Sequence, residues 1–234
     1  MRKEELDQIL NRSAGEPTSL KPEVLNRIAD SVKASLRPVR ALPSRRLLTG
    51  GVLLACAAVS IVGAARAGFF GFAKMDLLER WLVFCLLGIL GWAAASSFVR
   101  AMIPGSRRYL TGAALLGWTC LAMLSVFGLL FRDATTSDFF SAGVACLLAG
   151  LLHAVPAALL SWLLLRRGFA VDAVKAGLTA GILGGVAGVG LLELHCVNFE
   201  TAHVLVWHVA VVPVSGLLGA CAGWLVQLWR ARGR

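Results

Sequence analysis

Long uncharged stretches of apolar residues recur along most of this chain. Arg46 and Arg66 bracket the first such stretch, and Arg80 and Arg100 bracket the second. A helix needs about 20 apolar residues to cross a bilayer core of roughly 30 Å. Six stretches reach that length, at about residues 47–65, 81–99, 110–131, 139–165, 173–194 and 203–229. The pattern therefore predicts an all-α integral membrane protein, built as a six-transmembrane-helix bundle.

A different pattern precedes these stretches. Residues 1–46 are largely polar and form a separate segment ahead of the transmembrane domain, residues 47–234. Within this segment, residues 4–12 and 22–36 predict two short amphipathic helices, because their apolar residues recur at three- and four-residue steps. The apolar stripe of the second helix is Leu25, Ile28, Val32 and Leu36. Helices this small cannot bury a core of their own, so they dock on a partner, lie on the bilayer or stay partly disordered.

Basic residues predict the orientation, because lysine and arginine concentrate in cytoplasmic loops. If the N-terminus is cytoplasmic, thirteen basic residues flank the spans on the inner side: Arg37, Arg40, Arg45, Arg46, Arg100, Arg107, Arg108, Arg166, Arg167, Lys175, Arg230, Arg232 and Arg234. Four flank them on the outer side: Arg66, Lys74, Arg80 and Arg132. We therefore expect both termini in the cytoplasm. The net charge of +10 lies mostly at span ends, so we expect contact with lipid rather than direct contact with nucleic acid.

The fifth predicted span is the richest in glycine. Gly177, Gly181 and Gly185 repeat at every fourth position, as do Gly184 and Gly188. Small residues at this spacing let two helix backbones approach closely within lipid. We predict a helix–helix seam here, either within one chain or between copies in a homo-oligomer. Spans three and six contain shorter versions of the pattern, Ala113/Gly117 and Gly219/Gly223.

The spans are almost free of charged side chains. Glu193, near the outer end of the fifth span, comes closest to the membrane interior. Transporters and pumps usually carry buried ionisable residues. The chain also lacks a phosphate-binding glycine loop, a zinc-protease helix and a serine-nucleophile elbow. We therefore predict that the protein is not an enzyme.

Soft metal ligands lie toward the outer face instead. The predicted topology places Cys146, His195, Cys196 and His203 at a similar depth. Thiolates and imidazoles suit soft or borderline metals, and two thiols that face an oxidising compartment are also able to form a disulfide. We predict no resident cofactor, and a soft metal ion is the species that this set would take transiently.

Two other function classes fit some of these features. A small-solute or metal transporter or channel would line its path with the histidines and cysteines, but it predicts polar residues through the whole depth of a pore. A membrane thiol oxidoreductase would need two cysteines within reach of each other, and the chain has no CxxC pair.

Three short motifs carry a resemblance to a known family. The N-terminal segment ends in Leu36-Arg37-Pro38-Val39-Arg40-Ala41-Leu42-Pro43. Leu194-His195-Cys196 precedes the last span, and Val206-Trp207-His208 lies within it. Together with six spans, these motifs resemble the negative regulator of sigma-F family of bacterial inner-membrane anti-sigma factors, over essentially the whole chain.

The resemblance implies a role in transcription regulation and stress response. It implies that the cytoplasmic N-terminal segment sequesters an extracytoplasmic-function sigma factor, for which the stripe Leu25, Ile28, Val32 and Leu36 would supply the anchors. It also implies that periplasm-side cysteines sense metal or oxidative stress, a role that falls on Cys146 and Cys196. Residues 1–46 contain no HxxxCxxC zinc motif, so the chain departs there from the better-known anti-sigma pattern.

Overall fold

The computed structural model describes residues 21–35, 43–103, 105–106, 110–131, 139–165 and 170–232. The chain divides into two units, Met1–Ala41 and Leu42–Arg234. In the described part of the first unit, helix α1 spans Pro22–Ser35, with Glu23 in its first turn and Lys33 in its last. Both charges suit the helix dipole. The helix predicted at residues 4–12 and the stripe residue Leu36 lie outside the described residues.

The three described residues of the apolar stripe of α1 are not buried. Leu25, Ile28 and Val32 are each about half exposed, at 50%, 51% and 50%. Half-exposed side chains of this size leave apolar surface that a further contact could bury, and burial stabilises by roughly 25 cal/mol for each Å² removed from water. The helix therefore has the amphipathic character that the sequence predicts, with its stripe still accessible.

The second unit contains six helices long and apolar enough to cross a membrane, which confirms the predicted fold class. In chain order its elements are α2 (Arg45–Ala67), the short α3 (Phe70–Lys74), α4 (Leu77–Met102), α5 (Gly112–Leu130), α6 (Phe139–Leu165), α7 (Ala173–His195), α8 (Thr201–His203), a π-helical turn (Val204–His208) and α9 (Val209–Arg232). The last three run on continuously as one span, Thr201–Arg232, which we call the last span.

Polar residues at the helix starts set where the spans begin. The Asp76 carboxylate accepts a hydrogen bond from the Glu79 backbone N–H at 2.7 Å, and the Glu79 carboxylate accepts one from the Asp76 N–H at 2.9 Å. This reciprocal capping box satisfies two backbone donors at the start of α4. Thr111 and Asp172 cap α5 and α7 in the simpler way, each through one side-chain oxygen.

Helix α7 occupies the centre of the bundle. In its most apolar stretch 72% of the residues are buried, against 22–44% in the other five spans. It packs against the last span most extensively and also against α6, α4 and α2. The Ser60 hydroxyl on α2 donates to the Ala187 carbonyl of α7 at 2.7 Å, a cross-helix link that membrane interiors favour.

Glycines make this central position possible. A Cβ added at Gly177 would collide with the carbonyl oxygen of Gly219, and one at Gly181 with that of Ser215. A Cβ at Gly185 would meet the Ser215 hydroxyl. One face of α7 thus touches the backbone of the last span directly. Since both helices belong to one chain, this seam is intramolecular.

A second glycine seam lies on another face of α7. A Cβ at Gly184 would approach the Ala154 carbonyl oxygen of α6 to 2.6 Å, and one at Gly188 would collide with the Gly150 carbonyl oxygen. Gly117 of α5 behaves differently, because a Cβ there would meet nothing within 4 Å. The short pattern in span three is therefore not a seam within this chain.

The two ends of the bundle differ in chemistry. At one end Arg100 and Lys175 line the same 240 Å³ cavity, and Arg230 donates to the Ala170 carbonyl at 3.0 Å. At the opposite end α3 and the residues between α7 and the last span lie together, since Lys74 donates to the Val197 carbonyl at 3.1 Å. We call these the basic end and the Cys/His end.

Candidate metal centre

Four side chains converge at the Cys/His end: Cys146, Cys196, His203 and His208. Their ligand atoms all lie within 4.8 Å of one another. The two sulfur atoms are 3.5 Å apart, and the Cys196 sulfur is 3.7 Å from Nε2 of His203. We call these four residues the Cys/His cluster. Three parts of the chain contribute to it: α6, the residue that caps α7, and the start of the last span.

A π-helical turn places the two histidines together. In an α-helix, side chains five residues apart point about 140° away from each other at 3.6 residues per turn. Here the Val209 N–H bonds to the Val204 carbonyl, five residues back. This wider turn brings His203 and His208 to one side, with their ring centroids 5.2 Å apart. Single π-helical turns are often found at functional sites.

A glycine on α6 lets Cys146 reach the cluster. A Cβ added at Gly143 would collide with the indole of Trp207, which lies in the π-helical turn. Gly143 is three residues before Cys146, so both lie on one side of α6. The absence of a side chain at Gly143 therefore allows α6 to approach the turn that carries His208.

Glu193 contacts the cluster through His208. Its Oε1 lies 2.8 Å from Nδ1 of His208, and both side chains are fully buried. A carboxylate at this distance makes Nδ1 the protonated nitrogen of the ring. The other nitrogen, Nε2, then carries a lone pair. Among the described residues it forms no hydrogen bond of regular geometry.

Aromatic and backbone groups pack at the same end of the bundle as the cluster. Phe131 stacks on Phe199 at a centroid distance of 4.9 Å, and the Thr201 hydroxyl donates to the Phe131 carbonyl. A Cβ at Gly71 of α3 would approach the Glu193 carbonyl oxygen to 2.7 Å. His203 and His208 are fully buried and Cys196 is nearly so, whereas Cys146 is partly accessible. Cys146 is therefore the least buried member of the cluster.

The surroundings favour the thiolate form of one cysteine. The hydrogen bond with Cys146, together with the two nearby imidazoles, lowers the pKa of the Cys196 thiol, and this outweighs the opposing effect of burial. A thiolate is both the metal-binding and the nucleophilic form of cysteine.

The structure brings together three of the four residues that the sequence pattern places here: Cys146, Cys196 and His203. The fourth, His195, lies apart from them. Its Nδ1 is 3.1 Å from the Gly68 carbonyl oxygen, and its ring packs against Phe70 at 5.8 Å. His208 takes the remaining place. The four other cysteines, Cys56, Cys85, Cys120 and Cys221, lie outside the cluster.

This arrangement is able to support two kinds of chemistry. Two sulfurs and two imidazole nitrogens are a donor set that suits a tetrahedral metal ion. The two thiols are also close enough to approach disulfide bonding, for which the sulfurs would have to move from 3.5 Å to about 2.05 Å. Both reactions would tie α6 to the end of α7.

Comparison with known proteins identifies the family. No curated protein and no solved structure matches the chain. The family described as negative regulator of sigma F matches residues 33–229, which is 197 of the 234 residues (229 − 33 + 1). The matched region contains the whole Cys/His cluster, while Leu25, Ile28 and Val32 precede it. The chain therefore belongs to the family of negative regulators of sigma F.

Proposed function

We propose that this protein is a membrane-bound anti-sigma factor for a sigma factor of the extracytoplasmic-function class. Membership of the family carries this proposal, because it implies negative regulation of a sigma factor and suggests a role other than catalysis. In our proposal the N-terminal segment holds the sigma factor away from RNA polymerase. The membrane bundle controls release of the sigma factor.

Helix α1 supports a docking role for the N-terminal segment. An amphipathic helix with an exposed apolar stripe is the usual ligand of a hydrophobic groove, with anchors at three- and four-residue steps. Leu25 and Ile28 would supply two of these anchors, since each is half exposed. The proposed partner is a groove on the sigma factor that these side chains fill.

The proposed topology puts the two functions on opposite sides of a bacterial inner membrane. The basic end, with Arg45, Arg100, Lys175 and Arg230, would face the cytoplasm, as the charge distribution favours. The Cys/His end would then face the periplasm. Sigma binding would occur inside the cell, and the cluster would meet metal ions or oxidants outside it.

Helix α7 could couple the Cys/His end of the bundle to the basic end. Cys196 caps its outer end, and its glycine seams run along α6 and the last span toward the basic end. If a reaction at the cluster altered the packing of α7, the positions of the helices at the basic end would change as well. Such a switch operates only if metal or oxidant favours one of two packing states over the other.

Co-purification tests the anti-sigma role. We expect the full-length protein, extracted in detergent from its source bacterium, to retain a sigma factor. Ile28→Asp should abolish this retention, because it places a charge in the centre of the docking stripe. Asn26→Asp is the matched control, since it adds the same charge away from the stripe. If the unmodified protein retains no sigma factor, the proposal fails.

Gene induction tests the sensing role separately. We expect Cys146→Ser and Cys196→Ser each to abolish induction of the sigma-dependent genes by cadmium or by peroxide. Cys85→Ser is the control, because Cys85 is an exposed cysteine on α4. Unchanged induction in both cluster variants would refute sensing at these residues, and it would leave the anti-sigma role intact.

A second candidate function is a membrane thiol oxidoreductase. The 3.5 Å separation of the Cys146 and Cys196 sulfurs supports it, since such an enzyme needs two thiols within reach of each other. In this case the purified protein would oxidise a dithiol substrate with a quinone as the electron acceptor, and Cys196→Ser would abolish turnover. Absence of turnover in the unmodified protein would dismiss this candidate.

A further inference from the structure

We propose that the Cys/His cluster is a closed tetrahedral site for one divalent cation of the zinc class, Zn²⁺ or Cd²⁺, and that Glu193 positions one of its ligands. This inference rests on the proposed function, because it names the ligand of the proposed sensing site. It also chooses between the two reactions that the cluster is able to support.

The donor atoms select the class of metal. Two sulfurs and two imidazole nitrogens are softer than the oxygen donors that Mg²⁺ and Ca²⁺ require. A tetrahedral set of two sulfur and two nitrogen donors is the arrangement typical of zinc. Two thiolates also neutralise the charge of a dication, which limits the cost of placing the ion at the end of an apolar bundle.

The spacing of the donor atoms fits such an ion. With metal–sulfur bonds of about 2.3 Å and metal–nitrogen bonds of about 2.0 Å, the edges of a tetrahedron measure about 3.3–3.8 Å. The sulfur–sulfur distance is 3.5 Å, and the Cys196 sulfur is 3.7 Å from Nε2 of His203. The greatest separation in the set, within 4.8 Å, requires only small side-chain rotations to close.

An unsatisfied nitrogen is an independent sign of a ligand. Nε2 of His208 belongs to a fully buried ring and forms no hydrogen bond of regular geometry among the described residues, although the Cys196 sulfur is near enough to interact with it. A buried polar atom without a partner destabilises the fold, because it has given up its hydrogen bonds to water. Since Glu193 occupies Nδ1 of the same ring, the lone pair of Nε2 is available to a cation.

Glu193 gives His208 the character of a metal ligand. Histidines that bind metals usually donate their second ring N–H to a carboxylate, which orients the ring and raises its basicity. The 2.8 Å contact between Glu193 Oε1 and His208 Nδ1 is such a contact. A carboxylate buried at the end of a membrane span is otherwise costly, so this partnership gives Glu193 a reason to be there.

A bound ion would act as a cross-link. It would join α6 through Cys146, the end of α7 through Cys196, and the last span through both histidines. These elements meet along the glycine seams of α7, so the filled and empty sites differ in how firmly α6 and the last span are held to α7. This difference is what a metal-controlled switch requires.

Cobalt provides a direct test on the full-length protein in detergent, reduced and freed of metal. We expect one equivalent of Co²⁺ to produce thiolate-to-cobalt charge-transfer absorption and the intense visible bands of tetrahedral cobalt, both abolished by added Zn²⁺. Cys146→Ser should remove much of the charge-transfer absorption and lower the affinity at least about 10-fold. Glu193→Gln should keep the tetrahedral spectrum but lower the affinity about 10- to 100-fold, the usual effect of losing such a partner.

His195→Ala is the matched control, because His195 lies at the same end and contacts the Gly68 carbonyl instead of the cluster. We expect this variant to bind cobalt as the unmodified protein does. The proposal is overturned if no cobalt binds, if the spectrum is that of six-coordinate cobalt, or if Cys146→Ser leaves it unchanged. Binding without retention of a sigma factor would refute the proposed function alone, and retention without binding would refute only the metal site.

Discussion

Helices α1 and α7 show two different ways in which a sequence encodes a contact. Helix α1 has polar residues on one side and an apolar stripe on the other, and Leu25 and Ile28 of this stripe are half exposed. Between Lys175 near its start and Glu193 near its end, helix α7 is largely apolar on every side, and it is the most buried span. In our proposal the partner of α1 is a sigma factor, whereas α7 has its partners within the bundle.

The difference shows what glycine adds to an apolar helix. In water, a one-sided stripe indicates which face of a helix is buried. In lipid, an all-apolar helix gives no such indication, because lipid tails are as apolar as leucine. In α7 the information lies in the positions without side chains, since Gly177 and Gly181 mark one contact face while Gly184 and Gly188 mark another.

The largest effect is expected from filling the seam of α7. Gly181→Val would push its side chain into the Ser215 carbonyl of the last span, and a backbone neighbour cannot rotate away. We expect a loss of about 3 kcal/mol, the upper end of the usual range for overpacking, seen as aggregation or a large fall in Tm in detergent. Gly117→Val is the control, because a Cβ there meets nothing within 4 Å. Equal behaviour of the two variants would contradict the seam.

A substitution in the apolar stripe of α1 should weaken binding of the sigma factor and leave the stability of the bundle unchanged. We expect Leu25→Ala to weaken binding of the sigma factor by about 2 kcal/mol, or roughly 30-fold, as is typical of a well-packed anchor. It should leave the Tm of the bundle unchanged, since Leu25 belongs to the other unit of the chain. Affinity by titration and Tm by scanning fluorimetry measure the two quantities. A fall in Tm with unchanged affinity would reverse our assignment of the two helices.

An intermediate effect is expected where a seam meets the Cys/His cluster. Gly188→Ala would place a Cβ against the Gly150 carbonyl of α6, four residues after Cys146. We expect α6 to shift and the affinity for cobalt to fall about 10-fold, equivalent to 1.4 kcal/mol. Gly88→Ala, at an open position on α4, should leave cobalt binding unchanged. If Gly188→Ala also binds normally, the seam and the site are independent.

The smallest effect should come from a single hydrogen bond. Ser60→Ala removes the bond from α2 to the Ala187 carbonyl, and bonds between membrane helices contribute about 0.6 kcal/mol on average. We expect a fall in Tm of no more than a few degrees and no change in metal affinity. A loss of stability as large as that of Gly181→Val would show that polar contacts, rather than the glycine seams, hold α7 in place.

The sequence predicted only part of the candidate site. Cys146, Cys196 and His203 could be grouped by depth alone, since depth in a membrane follows from position along a span. His195 was grouped with them by the same reasoning, but its ring lies against the Gly68 carbonyl instead, because the side chains of adjacent residues point in different directions. His208 was not included in that group, and its spacing of five from His203 does not place the two side chains on one face of an α-helix. The π-helical turn removes that objection, and no pattern of apolar residues indicates such a turn.

The sequence by itself determined the six membrane spans, the amphipathic helix α1 and the glycine-rich character of α7. These follow from the local hydrophobicity and residue size along the chain, which need no knowledge of neighbours. Only the tertiary structure decided which faces of α7 meet which helices, and that the seams lie within one chain. It also decided that His208 joins the Cys/His cluster and that Glu193 contacts His208, because the approach of α6 at Gly143 brings together segments that are distant along the chain.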